Sequence, residues 1–121
     1  MTGVQTCALP IYRRRLAGCA RLRCPAEPRG EFCVYHTFVI QADKRDELAR
    51  YLDEHGIGTA IHYPTPIHLM TVGRMLGHQP GDFPETERQA ERILSLPIYP
   101  ELTPAQLDQV ADAILDFYRT N

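Results

Sequence analysis

Three features of this sequence predict an α+β fold, a short sheet with helices layered on it. The run Phe32–Gln41 is apolar on both faces and rich in β-branched and aromatic residues, the pattern of a central strand. Two amphipathic helical stripes follow, one behind Asp43 and one behind Thr103, each with its own start signal. Two shorter apolar runs, 57–62 and 94–99, lie between them, bounded by glycine and proline. The order strand, helix, strand, helices, strand, helix is that of helices stacked on one sheet.

Arg13–Leu22 reads as the tail of a helix, with Leu16, Ala17 and Ala20 on one side. Pro25, Pro28 and Gly30 then mark a turn or linker. In the strand Phe32–Gln41, Phe32, Val34, His36, Phe38 and Ile40 share a face. A histidine there is either a satisfied core residue or one that points into a cleft. Asp43 is placed to cap a helix over Lys44–His55, with Asp46 and Glu47 favouring the dipole of its first turn. Leu48, Tyr51 and Leu52 form its buried stripe, and Gly56 supplies a left-handed stop. Ile57–His62 is the next strand, with Gly58 and Ala60 on the face of His62. His68–Leu76 makes a helical turn or two, 77–81 is loop, and Pro84 opens a helix to about Ile93. Leu94–Tyr99 is a strand that Pro97 confines to an edge or an end. Thr103, Pro104 and Gln106 combine an N-cap, an N1 proline and an N3 glutamine. Leu107, Val110, Ala111, Ile114 and Phe117 are the core stripe of the last helix.

With 121 residues the chain makes one modest core. Hydrophobic content of 44% and charged content of 23% are those of an ordinary globular protein. No apolar run reaches the roughly 18 residues of a membrane helix, so no membrane partner is expected. The net charge of −2 hides an asymmetry: residues 1–30 hold six arginines and one acid, and the remainder is acidic. The basic arm carries Tyr12 as its only aromatic and no nucleic-acid motif, so it reads as a solvated face. Cys7, Cys19, Cys24 and Cys33 lack zinc spacing, and with no secretory signal they fit a reducing, cytoplasmic setting.

The string from Thr2 to Ile11, TGVQTCALPI, resembles the translation of a sequencing-library adaptor. Residues 1–12 are therefore expected to be non-native, with the gene cut before Tyr12.

The residues Gly56–His68, GIGTAIHYPTPIH, carry the strongest functional pattern. Two prolines stiffen the backbone where His62, Tyr63 and His68 crowd together. A rigid loop with three hydrogen-bonding rings presents polar groups to a ligand, or else is a turn whose histidines cap nearby backbone. Other chemistries find little support. Ser95 is the only serine and lies in an apolar strand, so no nucleophilic triad assembles. No helix carries H-x-x-x-H, and no phosphate loop is present. The single lysine, Lys44, stands in the charged run DKRDE without the desolvation a Schiff-base lysine needs.

Three patches together identify a family: the strand YH-x-FVI, the loop GIGT-x-IHYP-x-P-x-H, and LSLPIYPELT before the last helix. From about Cys33 to Phe117 the chain resembles the C-terminal domain of the DegT/StrS group, the pyridoxal-phosphate-dependent nucleotide-sugar aminotransferases. The resemblance implies a type I aminotransferase fold, with residues 31–121 as its small domain and 13–30 as the remnant of an inter-domain helix and linker. It implies that a large domain holds pyridoxal phosphate on a lysine, that glutamate gives the amine, and that a keto sugar on a nucleotide accepts it. By the same analogy His62, Tyr63, His68 and His36 are substrate-side contacts, and the parent is a homodimer. The large domain and its lysine are missing here, so the chain is expected to be an inactive fragment that exposes apolar surface. Two further readings compete: a non-enzymatic module that binds a small ligand, and a structural or interaction domain that docks on nucleic acid through its basic arm.

Overall fold

Pairing of three short strands organises the molecule. The computed structural model describes residues 4–121, with side chains from Ala8 onward; Met1, Thr2, Gly3 and the side chain of Cys7 lie outside it. The adaptor-like string is thus described only in part. Strands β1 (Leu22–Arg23), β2 (Phe38–Ala42) and β3 (Ile93–Leu96) form an antiparallel sheet in the order β1-β2-β3. Leu22 faces Ala42, and Phe38, Val39, Ile40 and Gln41 face Leu96, Ser95, Leu94 and Ile93. Along β2 the alternation is strict: Phe38, Ile40 and Ala42 are buried, and Val39 and Gln41 are half-exposed.

The helices are α1 (Val4–Leu16), α2 (Arg45–Glu54), a 3-10 turn at Ile67–Leu69, α3 (Thr71–Met75), α4 (Pro84–Ala90) and α5 (Pro104–Thr120). The long α5 packs against both α1 and α2. All five residues of its expected stripe are buried, and its capping box closes through Thr103 and Gln106. From α1, Ala8, Tyr12 and Leu16 at i, i+4 and i+8 enter the same core. Tyr12 lies 5.2 Å from Phe38, ring to ring, and its hydroxyl donates to the Pro97 carbonyl at 2.8 Å. Each full burial of a Leu or Phe here contributes about 2–3 kcal/mol.

Several expectations need correction. The first helix ends at Leu16 rather than continuing to Leu22, because Leu22 and Arg23 leave it to pair with β2. The strand expected from Phe32 begins only at Phe38. Tyr35 has φ of +49°, which breaks the pleat and ends the alternation. Phe32 and Val34 are consequently 86% and 60% exposed, while Tyr35 turns into the core. Asp43 does not cap α2 with its side chain; Lys44, at φ of +51°, holds the N-cap position. The Asp43 carboxylate is used instead by Arg92 at 2.7 Å and Arg21 at 3.3 Å. Helix α4 stops at Ala90, three residues before the expected end, because Ile93 joins the sheet. The strand expected at Ile57–His62 reduces to one bridge, Ala60 with Ser95.

Candidate functional site

The loop Gly56–His68 is anchored at three points. At its start, α2 closes in a Schellman arrangement: the Gly56 N–H donates to Asp53 and the Ile57 N–H to Leu52, both at 2.9 Å. Gly56 takes φ of +74°, a conformation that suits glycine, and Ile57 is buried behind it. Midway, Ala60 exchanges both backbone hydrogen bonds with Ser95 of β3, at 2.7 and 3.2 Å. At its end, Pro66 leads into the 3-10 turn that carries His68.

His62 lies two residues beyond the Ala60 bridge, and its Nδ1 is 2.8 Å from the Ser95 hydroxyl. The His62–Tyr63 peptide is cis, and the two rings meet edge to face with centroids 5.6 Å apart. Tyr63 is 71% exposed and projects from the surface next to Pro64. His68 is held separately. Its ring is buried, Nε2 lies 2.8 Å from Glu87 of α4, and Phe83 packs edge-on at 4.9 Å. Glu87 also accepts the Gly81 N–H at 2.7 Å. These two donors, His68 first, hold the Glu87 carboxyl below the usual carboxylate range. Gly73 lets α3 approach the backbone of His68: a Cβ there would meet the His68 carbonyl at 2.3 Å.

The structure therefore brings His62 and Tyr63 together and sets His68 on another wall. That wall belongs to an apolar groove of about 630 Å³ lined by Ile67, His68, Met70, Val72, Leu76 and Phe83, among others. His36 is not on the apolar face of a strand. It is exposed in the bend before β2, a consequence of the broken pleat at Tyr35. Reasoning from sequence missed Ser95, Glu87 and Phe83 as partners of the loop histidines. Ser95 did carry a signal, since a hydroxyl between Leu94 and Leu96 of a buried strand needs a hydrogen-bond partner. Among the described residues, no group of three His, Cys, Asp or Glu side chains is placed to hold a metal ion.

Residues 3–115 match the DegT/DnrJ/EryC1/StrS aminotransferase family. The chain belongs to this family. It is 45% identical over 95 residues to a pleiotropic regulatory protein of Geobacillus stearothermophilus, covering 78% of this chain and 26% of that protein. It is 36% identical over 106 residues to the dTDP-3-amino-3,4,6-trideoxy-α-D-glucose transaminase of Streptomyces venezuelae, covering 88% of this chain and 28% of that one. The crystal structure of S. venezuelae DesV in complex with a ketimine intermediate superimposes with a TM-score of 0.89 at 34% identity, over 93% of this chain and 30% of that one. The DegT-family chain thus spans under a third of the length of these proteins. Its α+β fold is that of the C-terminal region of such aminotransferases.

The residues present do not fit pyridoxal phosphate as a site of their own. Lys44, the only lysine, is 41% exposed and pairs with Glu47 at 3.8 Å. It lines a cleft shared by arginines and carboxylates, a hydrated setting without the desolvated pocket an imine-forming lysine needs. The other loop groups are imidazoles and a phenol, which bind and orient but form no imine.

Proposed function

We propose that residues 31–121 act as the small C-terminal domain of a pyridoxal-phosphate-dependent aminotransferase that moves an amine from glutamate to a nucleotide-linked keto sugar. Residues 13–30 are then what remains of the helix and linker leading to a large domain. That domain supplies the cofactor and its lysine. The observation that carries this reading is the exposed Tyr63 beside His62 on a loop pinned at both ends, in a chain whose S. venezuelae relative is a dTDP-sugar transaminase.

Each side chain has a task that suits its chemistry. The Tyr63 phenol and His62 imidazole hydrogen-bond sugar hydroxyls and offer flat faces to the ring. His68, fixed through Nε2 by Glu87, lines the groove. His36 stands as an exposed imidazole before β2. Cys19, Cys24 and Cys33 are free thiols, which suits a reducing, cytoplasmic compartment. The parent is a homodimer in this reading, and the apolar groove is surface that the assembled protein covers.

A chimaera tests the proposal. Residues 31–121 replace the matching segment of the S. venezuelae transaminase, and amine transfer from glutamate is assayed. Transfer is expected in the chimaera and absent when the 121-residue chain is mixed with pyridoxal phosphate and glutamate. Tyr63→Phe and His62→Ala should each lower kcat/KM about tenfold, the worth of one hydrogen bond to substrate. Unchanged kinetics in both variants, or turnover by the chain through Lys44, would overturn it.

A further inference from the structure

The Ser95–His62 contact joins a buried hydroxyl to an exposed imidazole. Ser95 is 6% exposed, and its backbone is already satisfied: its N–H donates to Ala60 and its carbonyl accepts from Ala60. Only the hydroxyl is left. Among the described residues its one partner is His62 Nδ1, at 2.8 Å. A buried hydroxyl must donate its proton or leave it unsatisfied. A neutral imidazole has one bare nitrogen and one N–H. If Nδ1 carried the proton, it would donate to Ser95 Oγ, and the serine O–H would have no acceptor. If Nδ1 is bare, the serine donates to it and every group is satisfied.

We propose that Ser95 is a positioning residue for His62, holding its imidazole as the Nε2–H tautomer with that N–H directed away from the sheet. The bridge between Ala60 and Ser95 sets the register. Side chains two residues apart on an extended segment share a face, so His62 lands over the serine that Ala60 pairs with. Nε2 has no partner among the described residues, and His62 is exposed. His62 thus presents a single fixed donor to an acceptor oxygen of a ligand, such as a keto, hydroxyl or phosphate oxygen. That the oxygen belongs to a sugar rests on the function proposed above; the tautomer does not.

The test is long-range proton–nitrogen NMR of the ¹⁵N-labelled 121-residue chain at alkaline pH, where imidazoles are neutral. His62 should show a pyridine-like Nδ1 and a pyrrole-like Nε2, with one tautomer populated. Ser95→Ala should lose this selectivity and populate both forms, while Ser95→Thr, which keeps the hydroxyl, should restore it. His68 is held by Glu87 and serves as the internal reference, unmoved in all three proteins. A protonated Nδ1 in the wild type would overturn the proposal. So would a Ser95→Ala spectrum like the wild type, or His68 shifting as much as His62. If Ser95→Ala does not fold, the wild-type tautomer and its retention in Ser95→Thr decide the matter. Adding dTDP-3-amino-3,4,6-trideoxy-α-D-glucose separates the two readings. A locked tautomer that ignores the nucleotide sugar upholds Ser95 as positioning residue and counts against the sugar-binding role. A mixed tautomer whose Nε2 responds to the sugar does the reverse.

Discussion

Two phenols and one carboxylate show how single residues tie this chain together. Tyr12 and Tyr118 each donate to a backbone carbonyl, of Pro97 at 2.8 Å and Asp43 at 2.6 Å. Burial is the main force that pushes both phenols well above the usual tyrosine range. Glu85 shows the opposite case at the surface. Hydrogen bonds from Arg88, then Gln89, hold its carboxyl at about 2. A depressed carboxyl contributes stability above its unfolded value, about 4.3, and loses it as pH falls toward the folded value. A carbon-detected titration should therefore place the Glu85 midpoint near 2, and Arg88→Ala should return it toward the ordinary value. Because this pair is solvated, the change in global stability should be small. An unmoved midpoint in Arg88→Ala would assign the shift elsewhere. At this scale sequence was a partial guide. It singled out His62, Tyr63 and His68, whose residue types announce hydrogen bonding. It could not show that Ser95 and Glu87 hold the two histidines, because those partners lie 33 and 19 residues away in sequence and meet them only in the fold.

Among the elements, those whose signals are local were legible and those that depend on tertiary pairing were not. The end of α2 at Gly56 and the start of α5 at Thr103 are encoded within a few residues, and both form as expected. The amphipathic stripe of α5 is local in the same sense. The length of β2 is not local. Its partner β3 offers only Ile93–Leu96, and Tyr35 leaves the extended region, so residues 32–36 have no strand to pair with. The prolines after His62 likewise limit the loop to one bridge. The cap of α5 gives this distinction a number. The Thr103 hydroxyl accepts the Gln106 N–H at 3.2 Å, and the Gln106 side chain accepts the Thr103 N–H at 2.9 Å. Thr103→Ala removes the first bond and should cost about 1 kcal/mol. For a chain of 121 residues that lowers Tm by about 4 °C. Thermal unfolding followed by circular dichroism reads it, and a Tm within a degree of wild type would mean that packing alone holds the first turn.

For the molecule as a whole, the distribution of apolar surface matters more than its amount. The core is continuous from Tyr12 through Phe38 and Leu94 to Ile114 and Phe117, so the sheet and long helices are closed on themselves. The segment 67–83 is different. Ile67, Val72, Met75, Leu76 and Phe83 are exposed together, with Met75 80% and Leu76 75% accessible. They are absent from the core cluster and form or flank the groove that His68 lines. Single exposed apolar residues need no explanation, whereas a contiguous group of this kind marks a surface that something covers. In the reading proposed here, that cover is another part of an assembled aminotransferase. The 121-residue chain without such cover should then bind an apolar dye and self-associate as concentration rises. Met75→Lys combined with Leu76→Lys should suppress both effects. Neither side chain packs into the core, so the far-ultraviolet spectrum and the Tm should stay those of the wild type. Sedimentation velocity and dye fluorescence measure the outcome. A wild-type chain that stays monomeric and dye-silent across that range would mean the groove is satisfied by solvent, and the homodimer proposed for the parent would have to use another face.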